Sequence, residues 1–102
     1  MVDQLHDWWF DLDDFHWDAG SQQAWLMLYP TAPAVRAELA SRRRLLIRNV
    51  SAVVIDDEAR IGHYDLNTLT SRGDTLVLES GFPLRVSCQL TGPLDVLVFE
   101  ED

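Results

Sequence analysis

The sequence predicts an α+β domain: a β-rich antiparallel meander of about six to seven short strands with one or two short helices packed on it. Three observations lead there. From Leu45 onward, apolar and polar residues alternate with period two. Turn-forming clusters at Asp56-Asp57, Ser71-Arg72-Gly73, Gly81-Phe82-Pro83 and Gly92-Pro93 cut that region into pieces too closely spaced for parallel crossovers. Before Leu45, two segments carry helix signals instead.

The first is Val2–Leu12. Leu5, Trp8, Trp9 and Leu12 fall at i, i+3, i+4 and i+7, and Asp3 can cap the N-terminus. Trp8, Phe10 and Leu12 also alternate as a strand would, but only the helical pattern includes Leu5. Phe15–Ala19 reads as extended, Gly20-Ser21 as a turn, and the apolar run Ala24–Tyr29, closed by Pro30, as a buried strand. The second helix starts at Thr31-Ala32-Pro33 and runs to about Arg44. It would bury Val35 and Leu39 and leave Arg42, Arg43 and Arg44 at the negative end of its dipole. The strands expected after it are Leu45–Val50, Ala52–Ile55, His63–Leu69, Thr75–Glu79, Leu84–Leu90 and Leu94–Glu100. In the cleanest of them Leu84, Val86, Cys88 and Leu90 face inward. A chain of 102 residues is the size of a single domain, 1–102.

Seventeen acidic residues against eight basic ones leave a net charge of −9. Every basic residue is arginine, so Schiff-base chemistry, a Walker A phosphate loop and a Ser-Lys dyad are excluded. The acidic balance argues against direct nucleic-acid binding. Cys88, the single cysteine, has no disulfide partner within the chain. The acidic start lacks the basic region of a signal peptide, and no apolar run spans a membrane, so a cytoplasmic protein without membrane attachment is expected.

Charge is distributed unevenly: −6 over residues 1–35, +2 over 36–60 and −5 over 61–102. All four tryptophans lie before residue 26. Asp7–Asp18 interleaves Trp8, Trp9, Phe10, Phe15, His16 and Trp17 with five aspartates. A helix buries one stripe, and Trp8 and Trp9 lie ~100° apart on it, so an aromatic ring is left beside clustered carboxylates. That combination suits a hot spot for a basic protein partner. Trp8, Trp9, Asp11, Asp13, Asp14 and Trp17 are the expected partner-binding residues.

Other chemistries are weaker. His16-Trp17-Asp18 and His63-Tyr64-Asp65 share a His-x-Asp spacing that puts both side chains on one face of a strand. If the two segments met, His16, Asp18, His63 and Asp65 could hold a metal or act as a two-His phosphoesterase. Asp11-Leu12-Asp13-Asp14 starts like a calcium loop, but His16 stands where the glycine belongs and Gln22 where the glutamate belongs. No Gly-x-Ser-x-Gly elbow, Gly-rich phosphate loop or Cys-x-x-Cys pair occurs. Neither catalysis nor a cofactor is expected.

Phe15-His16-Trp17-Asp18-Ala19 resembles the Phe-His-Asp-Ala opening of small bacterial immunity-type proteins, which guard cells against polymorphic toxins. Leu45-x-Ile47-x-Asn49-Val50-x-x-Val53, Asn67 and Leu84-x-Val86-x-Cys88 add to the likeness, and Trp17, inserted between His16 and Asp18, departs from it. The resemblance implies a β-rich α+β domain without catalytic activity that binds and blocks a toxin. The functional expectation is therefore an acidic, non-enzymatic binding protein that neutralises or regulates a basic partner such as a toxin nuclease. A phage or mobile-element inhibitor that mimics nucleic acid against a defence-complex subunit is the sibling expectation. A homodimer joining Arg42–Arg44 to the acidic segment is a third.

Overall fold

The structure, a computed structural model, describes residues 6–32 and 42–101. Ten strands run through them: β1 (Trp9–Asp11), β2 (His16–Asp18), β3 (Gln23–Leu28), β4 (Arg42–Ile47), β5 (Val50–Asp57), β6 (His63–Asp65), β7 (Thr68–Arg72), β8 (Thr75–Glu79), β9 (Leu84–Leu90) and β10 (Val96–Glu101). A 3-10 turn, Leu12–Asp14, joins β1 to β2. The strands pair antiparallel in three sheets, ordered β1-β6, β10-β4-β3-β2 and β5-β9-β8-β7.

Alternation builds these sheets. In β3, Ala24, Leu26 and Leu28 are buried while their neighbours are half-exposed, and β9 buries Leu84, Val86, Cys88 and Leu90. One hydrophobic cluster joins the three sheets, with Phe10 and Tyr64 contributed by the small one. Two chain reversals at one end are made by residues with positive φ, Gln22 (57°) and Asn49 (62°). Asparagine tolerates that conformation, and here Asn49 also donates from Nδ2 to Pro93 O at 3.0 Å.

The fold is all-β, which corrects the α+β expectation. Among the described residues the 3-10 turn is the sole helical element. The predicted helix Val2–Leu12 falls partly outside the described residues, and its second half is β1. The competing alternation wins because β6, more than fifty residues later in the chain, supplies a partner. Phe10 sits opposite Tyr64, both are buried, and their ring centroids lie 5.9 Å apart. Of the predicted helix over Thr31–Arg44, Thr31 and Ala32 are not helical, residues 33–41 lie outside the described residues, and Arg42–Arg44 open β4. Arg43 meets opposite charge across a ladder rather than at a helix dipole, because Glu100 stands opposite it.

The strand count also exceeds the expected six or seven. The run His63–Leu69 breaks at Leu66-Asn67 into β6 and β7, which join different sheets, and β1 and β2 add two more. Thr75–Glu79 and Leu84–Leu90 form where the alternation places them. Among the described residues no helix is long and apolar enough to cross a membrane.

Candidate partner-docking site

The acidic–aromatic segment is split between structure and surface. Trp8 packs against the core and carries the Arg43 guanidinium 5.0 Å from its ring centroid. Trp9 is half-buried and exchanges two backbone hydrogen bonds with Tyr29, each 2.7 Å. Trp17 is 38% exposed, and its Nε1–H donates to Val50 O at 3.0 Å, pinning β2 to the start of β5.

The carboxylates sort the same way. Asp11 accepts from His63 Nδ1–H at 2.7 Å, across the β1–β6 pair. Asp18 closes the β2–β3 turn, accepting from Ser21 Oγ at 2.7 Å and Gly20 N–H at 3.2 Å. Those bonds, the Ser21 hydroxyl foremost, hold its carboxyl below the usual aspartate range. Asp65 accepts from Ser80 Oγ at 2.7 Å and Gly81 N–H at 3.0 Å. Asp57 accepts from Arg60 N–H at 2.9 Å and from the Tyr64 hydroxyl. Burial, then that carboxylate, pushes the Tyr64 phenol above its ordinary pKa. Asp13, Asp14, Asp56 and Glu58 are different: among the described residues no hydrogen bond or ion pair occupies their side chains.

The four fallback metal residues are engaged separately. His63 meets Asp11, Asp65 meets the β8–β9 turn, Asp18 meets its own turn, and the His16 ring lies 5.6 Å from Trp25. The His-x-Asp spacing does not pair each histidine with its own aspartate. Among the described residues, no three His, Cys, Asp or Glu side chains gather as a metal site would need. Cys88 is buried, and burial pushes its thiol up to about 11, far from a reactive thiolate.

The 57–62 segment links the places in the fold where the unengaged acids lie. Glu58 and Ala59 N–H both donate to Pro83 O at 3.1 Å, while Leu12 N–H donates to Gly62 O at 2.9 Å. The segment thereby runs from the Gly81–Pro83 turn to the Asp13-Asp14 turn. Gly62, with φ 82°, makes the bend that reaches Leu12. Beside the Gly81–Pro83 turn, where the segment begins, lies a groove lined by Asp56, Glu58, Glu79, Phe82, Pro83 and Arg85, among other residues. Phe82 is 41% exposed, and its ring centroid lies 6.1 Å from that of Trp9. Arg85 reaches Glu79 at 3.3 Å and offsets one charge.

Asp56, Glu58, Glu79 and Phe82 were not expected from sequence. The available signal was Phe82 itself: an aromatic between Gly81 and Pro83 in a tight turn has little backbone freedom to turn inward. What no local pattern carries is the arrangement that brings this turn beside Trp9.

Compared with protein-family models, curated proteins and solved structures, the chain shows no match.

Proposed function

We propose that this chain is an acidic, non-catalytic binding protein of the inhibitor or immunity type, which docks a basic protein partner on the surface built from Asp13, Asp14, Asp56, Glu58, Trp9 and Phe82. The observation that carries the reading is the hydrogen-bonded path from Pro83 through residues 58–62 to Leu12, which links the turn where Phe82 meets Trp9 to Glu58 and on to the Asp13-Asp14 turn. Carboxylates of this kind attract arginine and lysine, and the net charge of −9 steers a basic surface toward them. Phe82 and Trp9 add apolar area and aromatic faces for cations. A nuclease, basic where it holds phosphates, has the complementary chemistry. A lone, buried thiol suits a reducing compartment, which supports a cytoplasmic site of action.

The test is capture from the native lysate by the immobilised protein at low and high salt. Asp13→Asn, Asp14→Asn and Glu58→Gln are combined in one variant, and Asp11 is left in place because it holds His63. The wild type should retain a basic protein whose association slows about tenfold or more in the variant at low salt. Phe82→Ala should mainly hasten its release. Equal association of wild type and variant, or an acidic captured protein, overturns the reading.

A further inference from the structure

The sheet β5-β9-β8-β7 ends on two very different edges. β7 presents Thr68, Thr70, Ser71 and Arg72, all exposed, the polar edge expected of a strand that must not pair further. β5 is eight residues long, and at its middle Val54 is 66% and Ile55 45% exposed. Its charges, Asp56 and Asp57, are confined to its C-terminal end. A long apolar edge without a central charge is a template for another strand.

The register says which backbone groups are open. Leu90 N–H donates to Asp74 O, so the main-chain groups of Leu90, Cys88, Val86 and Leu84 turn toward β8. Those of Gln89, Ser87 and Arg85 therefore turn toward β5, where they meet Ala52, Val54 and Asp56. Val53 and Ile55, opposite Cys88 and Val86, point their N–H and C=O groups away from β9, off the edge of the sheet. The N-terminal end of that edge is already closed, because Val50 donates to Gln22 O and accepts from Trp17 Nε1. Among the described residues, the open stretch is thus short and bounded.

We propose that this edge pairs with the same edge of a second copy of the chain, antiparallel and centred on Val54. That register sets Val53 opposite Ile55 of the second copy and Ile55 opposite Val53, each pair exchanging two backbone hydrogen bonds. Val54 faces Val54 on the two-fold axis. Asp56 falls opposite Ala52, and the two Asp56 carboxylates stand about four residues apart along the strands, roughly 14 Å. Shifting the centre to Ile55 would bring the two Asp56 side chains to diagonal positions, where like charges repel. The charge pattern therefore selects the register, and the edge is self-complementary in it because each Asp56 meets an alanine. Two four-stranded sheets become one of eight strands, both apolar edges are consumed, and the polar β7 edges end the assembly.

Cysteine crosslinking tests the register directly, since native Cys88 is buried. In an antiparallel pair without mutual hydrogen bonds, Cα atoms lie about 4.5 Å apart, within the ~4.4–6.8 Å a disulfide spans. Val54→Cys should form a disulfide-linked dimer under mild oxidation, whereas Ala52→Cys and Val77→Cys, on the middle strand β8, should not. Sedimentation of the wild type should show a monomer–dimer equilibrium that tightens with added salt, because each copy carries −9. Val54→Lys should raise the dissociation constant at least about tenfold by setting like charges face to face, with an unchanged circular dichroism spectrum and, at concentrations where both proteins are monomeric, an unchanged melting temperature. A wild type that stays monomeric at all concentrations, or equal crosslinking at positions 52, 54 and 77, overturns the proposal.

Discussion

The Arg43 guanidinium lies 5.0 Å from the centroid of the Trp8 ring, and the same side chain reaches Glu100 at 3.9 Å. One arginine of the Arg42–Arg44 run thus ties the N-terminal aromatic segment to the last strand. Arg43 supplies that segment with a stacked cation. A double-mutant cycle of Arg43→Ala and Trp8→Ala, read by urea unfolding, should give a coupling of about 0.5–1 kcal/mol. Glu100→Gln should contribute less, because Glu100 is 80% exposed and solvent screens the pair.

Asp65 holds the turn that presents Phe82. Ser80 is buried, and its hydroxyl and the Gly81 N–H both donate to Asp65 Oδ1. Asp65→Ala should destabilise the protein by about 1–3 kcal/mol, the usual result of leaving a buried donor unmatched. A Cβ on Gly81 would stand 2.9 Å from Asp65 Oδ2. Gly81→Ala should therefore lower the melting temperature and shift the Phe82 ring resonances, whereas Gly73→Ala should leave those resonances in place.

The Asp18 carboxyl is held below its ordinary pKa by Ser21 and Gly20. A depressed aspartate adds stability above its unfolded-state pKa, and that contribution is lost as pH falls through the folded value. An NMR titration should place Asp18 below ordinary aspartate, and Ser21→Ala should move it upward.

Cys88 behaves oppositely. Its thiol, pushed up to about 11, keeps the folded state favoured below the unfolded cysteine pKa, and the contribution is lost as pH rises from there toward 11. The raised Tyr64 phenol adds to the loss at higher pH. Alkaline unfolding should therefore begin earlier in the wild type than in Cys88→Ala measured against its own neutral-pH stability. Native Cys88 should resist thiol reagents at pH 8 and react on unfolding.

The strands whose neighbours follow closely in the chain were legible from sequence. Thr75–Glu79 and Leu84–Leu90 pair across a short turn, and alternation with turn residues is all the information they need. The failures were at strands whose partners are remote. Trp9–Asp11 pairs with His63–Asp65, and Arg42–Arg44 with Phe99–Glu101, and neither partner leaves a mark on local periodicity. In the candidate site, Trp9, Asp13 and Asp14 could be picked out because aromatic and acidic residues crowd together in sequence. Phe82, Asp56 and Glu58 could not, since only the backbone bonds to Pro83 and Gly62 bring them alongside. Asp11 and His63 were both singled out, but for separate roles, and the structure joins them to each other.

Under the proposed function, a basic chain lands on the surface formed by the Asp13-Asp14 turn, residues 56–58 and Phe82. Titrating the isotope-labelled protein with an oligo-arginine peptide, followed by amide and tryptophan indole resonances, tests it most directly. The shifts should concentrate at Asp13, Asp14, Asp56, Glu58, Phe82 and the Trp9 indole, and vanish at high salt. Shifts that gather instead around Asp74 and Asp95, or spread evenly over every exposed carboxylate, would contradict it.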